Sequence, residues 1–226
     1  MITTMKFPKK SFAVALLLVC AATAVTPMQA EAASARKKQQ AMYAYRTFMN
    51  QSQIPWTSWS FAPASQVEFA TADINKDGIK ELILRWSYAS HAEGWDRIYT
   101  YRNGKVKSLG EFTSVTISKN KNYFTNYYMG TGGSLNYFYR LKKNGKKECL
   151  VKYQTSDVPP TNAKGSVVKK HNKTFGRDVY YYGMKVNGKR VSYKKCMKKV
   201  RSLEKKSRTL SLTYHKNTME NVGRYL

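Results

Sequence analysis

Histidine, cysteine and acid are all scarce in this chain. The three histidines, His91, His171 and His215, stand far apart and share no metal-ligand spacing. Of the three cysteines, Cys20 sits in an apolar leader, which leaves Cys149 and Cys196. An oxidising compartment permits a bridge between those two, and two separate thiols are the equal alternative. A Cys–His nucleophile has little context, because Lys146-Lys147-Glu148-Cys149-Leu150-Val151 reads as an ordinary strand. The glycine-rich Gly130-Thr131-Gly132-Gly133-Ser134 lacks the Lys-Ser/Thr of a phosphate loop and the G-x-S-x-G of a hydrolase elbow. It reads as a hairpin turn, and a non-enzymatic protein is expected.

Long apolar runs are also lacking, with one exception. Phe12 to Val25 is apolar, follows Lys6, Lys9 and Lys10, and is closed by Pro27 and the small-x-small Ala30-Glu31-Ala32. This order predicts a secretory signal peptide over residues 1–32, cut after Ala32 or, alternatively, after Ala35. The run is shorter than the roughly 20 residues a membrane span needs. Leu17-Leu18-Val19-Cys20 resembles a lipobox, but Val19 stands where Gly, Ala or Ser is normal. No transmembrane segment follows, so a soluble, secreted and monomeric product is expected.

Against 13 Asp and Glu stand 40 Lys and Arg, a formal net charge of +27. The expected leader holds three lysines and Glu31, which leaves about +25 on the rest. Residues 33–134 carry 13 basic and 7 acidic groups, and residues 135–226 carry 24 and 5. Such a surface attracts polyanions over long range, and it also serves simply to keep a protein soluble. Outside a cell the available partner is an anionic cell-wall or surface polymer. Lys142, Lys143, Lys146, Lys147, Lys169, Lys170, Lys194, Lys195, Lys198 and Lys199 are the candidate contacts. No zinc spacing, helix-turn-helix pattern or RNA-binding aromatic signature accompanies the charge, so no specific nucleic-acid partner is expected.

Ala41, Met42, Tyr45, Phe48 and Met49 recur at helical spacing, which predicts a helix over residues 36–50. A turn-rich link through Pro55, Trp56, Trp59 and Pro63 completes a segment 33–66, with the tryptophans as packing anchors. Strands are predicted at Val67–Ala72, Glu81–Trp86, Arg97–Arg102, Lys105–Leu109, Tyr137–Leu141, Glu148–Tyr153 and Asp178–Tyr182. Asn103-Gly104, Asn144-Gly145 and Asn187-Gly188 are two-residue hairpin signals, read as independent turns rather than propeller blades. Residues 67–155 thus form a β-meander. In 156–226, Ser156–Lys173 reads as a loop, and Ser192 caps a helix with Tyr193, Cys196, Met197, Val200 and Leu203 on one face. Thr209–Tyr214 is a candidate last strand, and Met219–Leu226 a closing helix. The tyrosine clusters suit pleated, half-buried sheets, with a sugar platform as the alternative.

One motif carries chemistry. In Asp73-Ile74-Asn75-Lys76-Asp77-Gly78-Ile79-Lys80-Glu81, oxygens of Asp73, Asn75 and Asp77 fall at alternate positions, Gly78 permits the sharp turn, the Ile79 carbonyl is placed as a further ligand, and Glu81 can close the shell. Hard oxygens in that order suit Ca2+. An ion-free Asx/Gly turn is the alternative. Leu84 stands where an EF-hand has its bidentate glutamate, and strands flank the loop. The D-x-N-x-D-G-x-x-E form between strands resembles the FG-GAP and VCBS calcium hairpins. With Tyr99-Thr100-Tyr101-Arg102-Asn103-Gly104-Lys105-Val106 and Val186-Asn187-Gly188-Lys189-Arg190-Val191-Ser192, the chain resembles small secreted proteins of Gram-positive gut bacteria. That resemblance implies a compartment and a fold type, with no activity attached. A propeller repeats the loop, which occurs once here.

The expected fold is therefore α+β, an antiparallel β-meander flanked by an N-terminal and a C-terminal helix. The expected function is a secreted, calcium-stabilised cationic binding module. A membrane-active protein using the basic segment Ser192–Lys206 is the alternative, and a secreted enzyme stands third.

Overall fold

The structure, a computed structural model, describes residues 27–163, 165–173 and 176–226. The expected apolar leader lies outside the described residues. Helix α1 (Pro27–Met49) leads into a short hairpin of β1 (Gln53–Pro55) and β2 (Phe61–Pro63), then β3 (Glu68–Ala72), β4 (Glu81–Arg85), β5 (Asp96–Arg102) and β6 (Lys105–Phe112). Next come β7 (Val115–Ile117), β8 (Tyr123–Gly130), β9 (Gly133–Leu141), β10 (Lys147–Ser156), β11 (Val168–Asn172), β12 (Arg177–Val186) and β13 (Lys189–Arg190). Helix α2 (Tyr193–Glu204), β14 (His215–Lys216) and α3 (Met219–Tyr225) complete the chain.

The expected α+β meander between two helices is not what forms. Among the described residues strand outweighs helix, so the protein is mostly β, with three α-helices and large antiparallel sheets. One sheet runs β14-β3-β4-β5-β6, and a second runs β11-β12-β10-β9-β8-β7 with β13 on β12. A meander would have kept strand order equal to chain order. Instead β12 returns to pair with β10 and leaves β11 at the edge, and β14 returns across the molecule to β3.

Period-two burial makes each sheet two-faced, and this stacks the molecule in four layers. Phe69, Leu82, Leu84 and Tyr99 face Ala41, Tyr45 and Met49 of α1. Ile83 and Ile98 point the other way and meet Ile117, Phe124 and Leu141 of the second sheet. The far face of that sheet, with Phe138, Leu150, Val151 and Met184, receives Cys196 and Val200 of α2. Burying each of these large apolar side chains contributes about 1.5–3 kcal/mol. Asp96 also ties the sheets, accepting two bonds from Arg85 at 2.9 and 3.2 Å and one from the Val115 N–H at 3.0 Å.

Several local features differ from expectation. Pro27 is the first described residue of α1, and the apolar stretch it was expected to close lies outside the described residues. Trp56 is buried and donates to the Gly94 carbonyl at 2.9 Å, whereas Trp59 is 70% exposed and anchors nothing. The expected loop Ser156–Lys173 contains β11, and the boundary at residue 155 falls inside β10. Thr209–Tyr214 forms only a single bridge, Ser118 with Thr209. Asn103 and Asn187 adopt φ of +51° and +49°, which is what their two-residue hairpins require. Cys149 and Cys196 are both free, the second buried on the sheet-facing side of α2.

Candidate functional site

The acidic loop joins β3 to β4 and bends at Gly78, whose φ is +87°. Its side chains fold back on their own backbone. Asp73 accepts from the N–H groups of Asp77 at 3.2 Å and Gly78 at 3.0 Å. Asn75 Oδ1 accepts from the Asp77 N–H at 2.9 Å, and Asp77 Oδ1 from the Ile79 N–H at 2.8 Å. Asn75 is buried and also donates its Nδ2 to Asp77 Oδ2 at 2.9 Å. These bonds gather the oxygens of Asp73, Asn75 and Asp77 on one turn.

Glu81 behaves differently. It is 1% exposed, and its oxygens accept from the Ile74 N–H at 2.8 Å and from Thr100 Oγ1 at 3.2 Å. Burial, with the charges of Asp77 and Asp73 added, pushes its pKa up to about 8 against the opposing Ile74 and Thr100 bonds. Among the described residues no three His, Cys, Asp or Glu side chains converge in a way that could hold a metal ion. Asn75 and the Ile79 carbonyl are the remaining oxygen donors of the expected shell, and both Glu81 oxygens are engaged by Ile74 and Thr100.

Two neighbours of the loop are not signalled by its own sequence. Tyr45, on α1, is fully buried, and its hydroxyl finds no hydrogen-bond partner of ordinary geometry. Burial, then Glu81, pushes its pKa far above the usual phenol range. Lys38 of α1 lies over the bend, where a Cβ on Gly78 would stand 3.7 Å from its Nζ. Both residues belong to a helix distant in sequence, so the motif gives no hint of them.

The basic candidates do not form one equivalent set. Lys194, Lys195 and Lys198 are exposed on α2 together with Arg201, while Lys199 is half-buried. Their helix is held by Ser192, whose side chain accepts from the Lys195 N–H at 3.4 Å. Lys121 donates to the Leu203 and Lys205 carbonyls at 2.6 Å, closing the C-terminal end. Lys169 is paired with Asp178 at 2.7 Å and Lys142 with Glu148 at 3.2 Å. Lys147 is exposed, but its amine is bonded to the Leu109 carbonyl and placed over the rings of Phe112 and Tyr139. Desolvation of that amine lowers its pKa. Lys170 sits over the Tyr193 ring, and Lys143 and Lys146 are exposed at the β9–β10 turn.

No family profile, curated protein or solved structure matches this chain. The chemistry of the loop and of the basic surface therefore rests on their own geometry.

Proposed function

We propose that the protein is a secreted cationic binding module that holds an anionic polymer of the cell envelope. The observation that carries this reading is the row Lys194, Lys195, Lys198 and Arg201 on α2. These groups are exposed, and among the described residues no carboxylate lies within ion-pair distance of any of them. An unpaired row on a helix fixed at both ends is a preorganised polycation, so a polymer meets it without ordering it first. Salt-dependent retention on immobilised teichoic acid or heparin tests this. Retention that weakens as salt rises is expected, and elution indifferent to salt contradicts it.

A membrane-active role fits less well. It needs the apolar stripe of α2, which is already packed on the second sheet through Cys196 and Val200. Among the described residues no helix is long and apolar enough to cross a membrane.

Calcium enters the proposal as a brace. Asp73, Asn75, Asp77 and the Ile79 carbonyl would hold the ion, and a turn of Glu81 toward the bend would complete a shell of hard oxygens. The ion would supply positive charge beside three carboxylates and fix the β3–β4 connection. An ion bound only by the folded chain raises its stability. A higher melting temperature in millimolar calcium than in chelator is expected, with the difference lost in Asp73→Ala. Identical melts for the wild type in the two conditions contradict the calcium seat without touching the polyanion reading.

A further inference from the structure

Helix α2 covers only part of its face of the second sheet, and the chemistry of that face changes where the helix stops. Under α2 the sheet is apolar, with Phe138, Leu150, Val151 and Met184. Tyr153 and Tyr181 continue the same face to the helix edge, where Tyr181 packs edge-on against Tyr193 of α2, and they line an open groove of about 570 Å3, a size within the roughly 300–1,000 Å3 of ordinary ligand sites. Tyr127 and Met129 stand on its wall, 42% and 61% exposed.

The floor between these walls is polar. Asn136 Nδ2 donates to Ser134 Oγ at 2.9 Å, and the Ser134 and Thr155 hydroxyls share a bond of 2.7 Å. Close approach of β9 and β10 makes this possible, because a Cβ on Gly133 would stand 2.5 Å from the Thr155 carbonyl oxygen. An ion pair between Arg177 and Asp157, 2.9 Å long, also lines the groove.

Each part narrows the ligand. A wholly apolar molecule would bury the hydroxyl–amide ladder without new partners, at a cost for each group left unpaired. A simple polyanion has no use for tyrosine walls and is opposed by Asp157. A sugar ring has a flat C–H face that rests on an aromatic ring and a rim of hydroxyls that needs both donors and acceptors. Tyrosine is suited to it, being flat, stiff and amphipathic. We propose that the groove binds a short oligosaccharide, with pyranose rings against Tyr127, Tyr153 and Tyr181 and hydroxyls on Asn136, Thr155 and the Asp157–Arg177 pair. This site is separate from the α2 row and from the acidic loop.

Calorimetry with chitotriose, cellotriose and maltotriose tests the proposal on the chain without its leader. At least one trisaccharide is expected to bind, with equal affinity at physiological and at about 1 M salt. Tyr127→Ala should weaken it by about tenfold or more with only a small change in melting temperature, since that residue is 42% exposed. Thr155→Val, nearly isosteric, should weaken it as well. Replacing the four basic residues of the α2 row by Gln should leave sugar binding intact, which separates this site from the polyanion reading. No heat from any trisaccharide at about 10 mM, or affinity unmoved in both Tyr127→Ala and Thr155→Val, overturns the proposal.

Discussion

The two sheets of this protein solve the same packing problem with opposite electrostatics. The first, under α1, keeps the buried acidic and basic side chains found among the described residues. Glu81, Asp96 and Arg97 are each 2% exposed or less, and all three lie on this sheet. The second, under α2, buries apolar and tyrosine side chains and leaves its charge outside. Residues 135–226 hold 24 basic groups against 5 acidic ones, and most of those basic groups are exposed. A layer with internal ion pairs is stiff and specific, because a buried charge stripped of its partner is costly. A layer with external like charge gains little stability from it but acquires a long-range field. Under the proposed function the difference divides labour: one half braces, and the other meets a partner.

The largest effect should come from the seam between the halves. Phe112 packs edge-on against Phe124 with centroids 5.2 Å apart, and joins the two sheets in one core. Phe112→Ala should cost about 3–5 kcal/mol and lower a single shared unfolding transition. Two separate transitions by circular dichroism and tyrosine fluorescence would break the picture of coupled layers.

A smaller effect belongs to the first half alone. The pKa of Glu81 in the folded, ion-free protein is raised to about 8 from an ordinary 4.5, chiefly by burial. The protonated acid therefore stabilises the fold. That contribution is fully present below about 4.5 and is lost as pH rises through about 8, amounting to something on the order of a few kcal/mol. In chelator, the wild type should melt lower at pH 8 than at pH 5, and Glu81→Gln should flatten the difference. A wild-type melting point that rises over this interval in chelator, with Glu81→Gln unchanged from it, would contradict the assignment.

The smallest effect lies in the second half. Ser192 caps α2, and Ser192→Ala should cost about 1 kcal/mol, read in urea unfolding, with slightly earlier elution from a polyanion column.

Two of the three expected two-residue turns and the loop were legible because their signals are local, whereas Asn144-Gly145 sits in a longer turn between Leu141 and Lys147. Asn103 and Asn187 need positive φ, and the Asp73–Glu81 spacing is a property of nine consecutive residues. Helix α2 was legible too, from Ser192 and the stripe ending at Leu203. Layering was not. That Ile83 faces the second sheet while Leu82 faces α1 depends on which strands pair, and alternation alone does not give that. Strand β11 hid for a different reason: Val168-Lys169-Lys170-His171-Asn172 is an edge, and charged edges look like loops in sequence. At the site, the loop oxygens could be read, whereas Tyr45 and Thr100 reach Glu81's surroundings only through the tertiary fold. The groove proposed for a glycan is likewise a product of register, since Asn136 stands opposite Tyr153 and Ser134 opposite Thr155.

The division of labour is tested most directly by two variants on one heparin column run with a salt gradient. One replaces Lys194, Lys195, Lys198 and Arg201 by Gln. The other removes the same charge from the first half, at Arg36, Lys37, Lys105 and Lys107, all exposed. The account predicts that the α2 variant elutes at much lower salt than wild type, and that the first-half variant elutes close to wild type. Equal shifts in the two variants would mean that net charge alone governs binding, and would contradict the assignment of the partner surface to α2.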